Sequence, residues 1–204
     1  MELRSARTVI RPWRRGDDQV ADRWPPYHDP LEPLWNLPRS YSGRGSWAGA
    51  FDLPFERESW AVENKAGQLI GRISLREIER VRGQARLGVT FGAPYVGQGL
   101  GTEALARFLD HFFNAMDFAV MVLDVAAPNI RAVRCYQRLG FTYVSSDWRQ
   151  AGSAFNHHIL EQPAYMDLAP LFQIERQRVT VEFYEMQLER QRWFAQRFSQ
   201  FATT

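Results

Sequence analysis

The stretch that most restricts how this chain can fold is Val96-Gly97-Gln98-Gly99-Leu100-Gly101-Thr102-Glu103-Ala104. A strand candidate, Ala85 to Phe91, leads towards it, and a helical pattern opens inside it at Leu100. Glycine adopts backbone conformations closed to other residues and lets a ligand approach the amides. The first N–H groups of a helix lack internal partners and carry partial positive charge. Together these features make a cradle for an anion such as a diphosphate. A plain tight turn is the simpler alternative. A Walker-type loop needs Gly-Lys-Ser/Thr, whereas Gly101 is followed by Thr102-Glu103. A dinucleotide fold needs its glycines after the first strand of a repeated βαβ unit, and here they follow a meander.

The surrounding pattern gives that turn its frame. Val9 to Trp13 reads as a strand, Asp17 to Trp24 as a helix stopped by Pro25-Pro26, and residues 25–54 as loops with short helices. Trp60 to Glu63, Gln68 to Ile78 and Ala85 to Phe91, joined by short turns, predict an antiparallel meander. Ala104, Leu105, Phe108, Phe112 and Met116 recur at helical spacing, and Val120 to Val125 is an apolar run suited to a strand buried on both faces. Asn129 to Leu139 is a helix ended by Gly140, and strands follow at Phe141 to Val144 and Val179 to Leu188. Tyr184, Met186 and Leu188 share one face of the last strand. The prediction is an α/β fold with a mixed central sheet of about seven strands flanked by helices. Residues 147–178 form an inserted segment before the last strand, and 191–204 a tail helix with Phe194, Phe198 and Phe201 on one face. That face packs on the same domain or, alternatively, forms part of a homodimer surface.

Composition excludes several functions. Of 204 residues, 45% are hydrophobic, enough for one packed core. Lysine plus arginine number 25 against 23 acids, a balance unlike that of an electrostatic nucleic-acid binder. Cys135 is the single cysteine, and His28, His111, His157 and His158 have no ligand spacing, so no metal site is expected. Met1 to Arg7 lacks the apolar core of a secretion signal, and Phe118 to Val125 is too short to span a bilayer. The expected setting is cytoplasmic, without a membrane partner.

Positions 96–101 resemble motif A of the GNAT acetyltransferase superfamily, Gln/Arg-x-x-Gly-x-Gly/Ala, with Val96 departing from the usual first residue. Gly101-Thr102-Glu103-Ala104 resembles the branch containing the ribosomal-protein N-terminal acetyltransferases. Leu123-Asp124-Val125-Ala126-Ala127-Pro128-Asn129, with Tyr136 ahead of Leu139-Gly140-Phe141, resembles motif B. The likeness spans residues 7–190 as one domain, apart from 147–178.

The resemblance implies a catalyst that moves an acetyl group from acetyl-CoA, its co-substrate, to a primary amine by direct attack. The acceptor would be a protein N-terminus or a small-molecule amine. A silent CoA-binding sensor and an interaction module are the alternatives. Amides of Gly97, Gln98, Gly99, Leu100, Gly101 and Thr102, with Val96, would hold the diphosphate. Main-chain groups near Val89, Thr90 and Phe91 would pair with pantetheine. Asn129 would contact the cofactor, cap its helix, or both. Tyr136 would serve as general acid to the thiolate, or be a satisfied buried aromatic. Asp124 is the first candidate for the base, with Glu77 and Glu79 behind it; its alternative is a carboxylate satisfied by backbone donors. The branch often carries Ala-Glu-Leu/Ile-Gly where this chain has Ala85-Arg86-Leu87-Gly88, which removes one base. Cys135 is expected to point into the core.

Overall fold

Each apolar alternation found in the sequence becomes a strand, and the turn residues between them become the connections. The computed structural model describes residues 2–39, 57–152, 155–176 and 178–201, with side chains through 197. The strands are β1 (Leu3–Arg4), β2 (Thr8–Pro12), β3 (Glu58–Asn64), β4 (Leu69–Glu79), β5 (Gln84–Phe91), β6 (Val120–Ala126), β7 (Thr142–Gln150), β8 (Phe172–Glu175) and β9 (Arg178–Glu189). The helices are α1 (Asp17–Ala21), α2 (Leu100–Asn114), α3 (Ile130–Arg138) and α4 (Arg190–Phe201). The sheet runs β1-β2-β3-β4-β5-β6-β9-β7, with β8 paired to β9. All neighbours are antiparallel except β5 and β6, which are parallel. The fold is therefore the expected mixed α/β sheet. The described residues form nine strands rather than about seven, because the two-residue β1 and the short β8 lack enough alternation to be read from sequence.

The apolar stripe of α2 creates the main core. Leu105, Phe108, Leu109 and Phe112 are buried against Trp60, Ile73, Leu75 and Leu87 of the sheet. Burying Phe108 or Phe112 contributes about 2–3 kcal/mol each, and Phe108 meets Trp60 edge-on with ring centroids 4.8 Å apart. A second cluster covers part of the other face. Leu31, Leu34, Leu160 and Phe172 pack there on Val181, Phe183 and Ala126. Consequently β9 is buried on both faces, Val181 and Phe183 on one and Met186 and Leu188 on the other.

Two segments differ in detail from the sequence reading. β7 continues to Gln150, so the segment before β9 comprises 3-10 turns at His157–Glu161 and Met166–Leu171, followed by β8. The tail helix starts at Arg190, and its buried anchor is Trp193, whose Nε1 donates to Asp110 Oδ1 at 3.0 Å. The side chains of Phe198 and Phe201 lie outside the described residues, as do residues 40–54 of the predicted loop region. No described helix is long and apolar enough to cross a membrane.

One irregularity of the sheet sets up the site. The β5–β6 register runs from Gln84↔Val120 to Leu87↔Leu123 and stops. β5 continues through Gly88–Phe91 and β6 through Asp124–Ala126 without pairing to each other. The two central strands thus part into a fork.

Candidate active site

A cavity of about 1220 Å³ occupies the fork. Its lining includes Gly88, Val89, Thr90 and Phe91 of β5, Val96, Gly97, Gly99, Gly101 and Thr102 of the glycine turn, Asp124 of β6, and Asn129, Cys135 and Tyr136. Gln98 and Leu100 do not line it. The Gln98 side chain donates to Pro94 O at 2.7 Å, and Leu100 is buried in the core.

The glycine turn folds as its composition requires. Gly97 and Gly99 both have φ of 78°, a left-handed conformation that glycine adopts without steric cost. The first backbone bond of α2 is Glu103 N–H to Gly99 O at 3.0 Å. Among the described residues, the amides of 97–102 donate to no protein acceptor. A run of free donors at a helix start fits a diphosphate. Glu103 is not free to repel that anion. Arg7 Nε donates to it at 2.7 Å and Ser5 Oγ at 2.7 Å, and these partners hold its carboxyl below the ordinary range although burial acts against them. Arg7 Nη1 also donates to Gln98 O at 3.0 Å, fastening the turn to the segment before β2. The sequence reading missed this staple, whose partners are 91 and 96 residues apart.

The α3 wall joins cap and cavity. Asn129 Oδ1 accepts from Ala132 N–H at 3.2 Å, so it caps α3, and it also faces the cavity. Two turns on, Tyr136 borders the same space, with its ring edge-on to Phe141 at 5.8 Å. Burial, reinforced by the neighbouring Cys135, pushes the Tyr136 phenol well above the usual tyrosine range. Cys135 packs against the main core, as expected, and also lines the cavity, with its Sγ 3.2 Å from Thr102 Oγ1. Burial also raises the Cys135 thiol, against weaker opposition from Thr102 and Arg138. A raised thiol pKa leaves less thiolate at a given pH. Alkylation by iodoacetamide at pH 7.5, followed by mass spectrometry, should therefore be slower for Cys135 than for the free amino acid. A rate equal to or faster than that would contradict the burial argument.

The carboxylates fall into two groups. Glu79 pairs with Arg82 outside the cavity. Asp124, with its side chain only 4% exposed, sits among arginines: Arg86 at 2.7 Å, Arg39 at 3.4 Å, Arg149 at 3.5 Å and Arg76 at 3.7 Å. Arg86 also donates to Glu77 at 2.7 Å and Glu185 at 3.1 Å. Burial opposes its charge, yet Glu77, Asp124 and Glu185 hold the guanidinium above its usual range. Burial likewise opposes ionisation of Glu185, but Arg86 and Arg39 keep its carboxyl low. Glu77 has φ of 49° in the β-bulge of β4, and such bulges re-aim side chains. It lines the cavity at the fork.

Tyr27 and the β4 face complete the walls, and neither was singled out from sequence. Tyr27 Oη donates to Phe91 O at 2.5 Å, so that carbonyl already has a partner. Arg131 of α3 lies over the rings of Tyr27 and Trp35 at 5.5 and 5.2 Å. Among the described residues, no group of three His, Cys, Asp or Glu could hold a metal ion.

Residues 7–142 match the family model described as Acetyltransferase (GNAT) domain. The spermidine N(1)-acetyltransferase of Escherichia coli strain K12 is 30% identical over 76 residues, covering 37% of this chain and 41% of that protein. A kanamycin resistance protein of Rhizobium radiobacter is 35% identical over 49 residues, covering 24% and 45%. The chain thus spans less than half the length of these curated relatives. Neither is a ribosomal-protein acetyltransferase, the branch suggested by the motif. The crystal structure of Vibrio cholerae spermidine N-acetyltransferase with CoA and spermine aligns with a TM-score of 0.61 at 17% identity, covering 93% of this chain and 99% of that one. This last likeness is one of fold.

Proposed function

Because the chain belongs to the GNAT acetyltransferase domain family, we propose that it transfers an acetyl group from acetyl-CoA to a small-molecule primary amine. The observation that carries this reading is the run of amides at 97–102, unpartnered among the described residues, of which Gly97, Gly99, Gly101 and Thr102 line the same cavity as the β5–β6 fork and Tyr136. The amides accommodate the diphosphate, and the exposed main chain of Gly88 to Thr90 accommodates pantetheine. That arrangement brings the thioester to the fork.

The acceptor nitrogen attacks the thioester carbonyl, the C–N bond forms and the C–S bond breaks. Holding both reactants in one cleft supplies much of the acceleration. Tyr136 donates a hydrogen bond to the departing sulfur. A hydrogen bond to a charged group is worth about 1.5–3 kcal/mol, so Tyr136→Phe should lower kcat by roughly 10- to 100-fold. Acetyl-CoA affinity by calorimetry should stay within about twofold, since the interaction is made mainly as charge develops on sulfur. The raised phenol pKa means that the proton is retained throughout the working range. No descending limb should therefore appear in kcat near pH 10, where an ordinary tyrosine ionises. Such a limb, absent in Tyr136→Phe, would argue against this environment for the phenol.

For the proton lost by the amine we assign Glu77, acting directly or through a water. Asp124 is a poorer acceptor because both its oxygens face arginines. Glu77 carries one such partner and is 35% exposed at the cavity. The decisive experiment is CoA release from acetyl-CoA across an amine panel, with acetyl-CoA binding followed by calorimetry. Binding without turnover on any amine would favour the sensor alternative, and absence of binding would end the acetyl-transfer reading.

A further inference from the structure

The β4 wall of the cavity suggests which amines the site accepts. Arg72, Ser74 and Arg76 alternate along β4 with the buried Ile73 and Leu75, so all three stand on the face away from the main core and line the cavity. Ser59 lies opposite Ser74 in the β3–β4 register, and its Oγ accepts from Arg72 Nη2 at 3.0 Å. Gly88 lies opposite Ser74 on the other side; a side chain there would meet Ser74 Oγ at 2.5 Å, so the glycine keeps this wall clear.

Among the described residues, Arg72 Nε, Arg76 Nε and Trp35 Nε1 are buried polar atoms without a hydrogen-bond partner, and all three belong to residues lining this cavity. A buried donor without an acceptor is unfavourable, and an acceptor that reached it would relieve that cost. The charges agree. Around the fork, Arg39, Arg76, Arg86 and Arg149 are matched by Glu77, Asp124, Asp147 and Glu185. Among the described residues, the carboxylate paired with Arg72 is the largely exposed Asp18 at 4.0 Å, and its guanidinium also lies over the Trp13 ring at 4.7 Å. The carboxylates that this wall offers a polycationic acceptor, among the described residues, are already paired with arginines. Glu32 also lines the cavity, but beside Tyr27 and near Arg131 rather than on β4.

We propose that the acceptor is a small amine that also bears an anionic group, a carboxylate or a phosphate. The Arg72–Ser74–Arg76 face holds the anion while the amine reaches the thioester at the fork. This rests on the acetyl-transfer reading above. Arginine is suited to the task because its fork of N–H donors matches either oxyanion. The reaction is unchanged: amine and acetyl-CoA give the N-acetyl amine and CoA thiol.

The test compares β-alanine, phosphoethanolamine, ethanolamine and spermidine as acceptors at saturating acetyl-CoA. One of the two anionic amines should exceed both ethanolamine and spermidine by about tenfold or more in kcat/KM, the gain expected of one charge-assisted hydrogen bond. Whichever anionic amine wins identifies the oxyanion. Arg72→Gln and Arg76→Gln should each raise KM for that amine about tenfold with little change in kcat, and Arg72→Lys should restore part of it. Spermidine or ethanolamine used as well as the anionic amines would overturn the inference, and so would an anion preference that survives both glutamine variants. If acetyl-CoA binds but no amine turns over, calorimetry on the CoA-loaded protein decides: β-alanine and phosphoethanolamine binding no better than ethanolamine would also overturn it. Failure of acetyl-CoA itself to bind is a different result, since it removes the acetyl-transfer reading and this inference with it.

Discussion

Replacing Asp124 by alanine should lower the melting temperature by roughly 6–12 °C, the shift expected of about 3 kcal/mol in a domain of this size. Asp124 and Arg86 are a buried pair, with side chains 4% and 7% exposed and joined at 2.7 Å. Removing one member of such a pair leaves the other charged in a medium that solvates it poorly, at a cost of about 3–5 kcal/mol. The lower end applies because Arg86 keeps Glu77 and Glu185, and Arg149 keeps Asp147. Turnover should fall as well, because Arg86 holds Glu77 at the fork. The companion variant Asp124→Leu with Arg86→Met removes both members of this pair and should recover part of the lost stability, since apolar replacement of a buried pair is often neutral, while Arg149 and Glu185 keep Asp147 and Arg39. Calorimetric melting of the three proteins measures this. If Asp124→Ala instead kept its melting temperature and lost only turnover, the carboxylate would regain its claim as the base.

That cluster also marks where reading the sequence stops. The glycine turn, the stripe of α2 and the apolar run of β6 are legible because each is local: glycine conformation, helical period and two-sided burial act over a few residues. Asn129 could be recognised as a helix cap for the same reason. Arg86 appeared in the sequence as the loss of a family glutamate. The structure adds that its charge is met by Glu77, Asp124 and Glu185, the last two 38 and 99 residues away. No periodicity encodes such a meeting. Arg72, Ser74 and Arg76 read as the wet face of an amphipathic strand, and only the segment carrying Trp35 turns that face into the wall of a cavity. Cys135 reads as a core residue and does pack there; its second contact is not legible because neighbouring helical residues diverge by about 100°, yet the cavity wraps far enough around α3 to reach both Cys135 and Tyr136.

The matches to the curated relatives cover 76 and 49 residues, too little to carry an acceptor across. The β4 arginines argue for a differently charged acceptor than a polyamine, while the glycine turn argues for the same acyl donor. In the proposed site the two specificities lie on different elements, the donor's on the helix start of α2 and the acceptor's on the meander. They can therefore diverge independently within one fold.

The second large effect is expected at Gly99→Val, which should weaken acetyl-CoA binding by about 100-fold or more. Gly99 has φ of 78° and is the residue from which α2 starts. A β-branched residue is an outlier in that region, and left-handed geometry costs about 1–2 kcal/mol for residues with a Cβ. The turn would relax by rotating, which moves the amides of 97–102 off the diphosphate. Losing one charge-assisted amide contact costs about 1.5–3 kcal/mol, so the two costs together, about 2.5–5 kcal/mol, reach or pass the roughly 2.7 kcal/mol that corresponds to a hundredfold change in affinity. Gly67→Ala is the matched control. Gly67 has φ of 73° with no neighbouring atom within 4 Å of an added Cβ, and it does not line the cavity. It should lose about 1 kcal/mol of stability and no affinity. Equal acetyl-CoA dissociation constants for Gly99→Val and Gly67→Ala, measured by calorimetry, would mean that the turn does not hold the diphosphate.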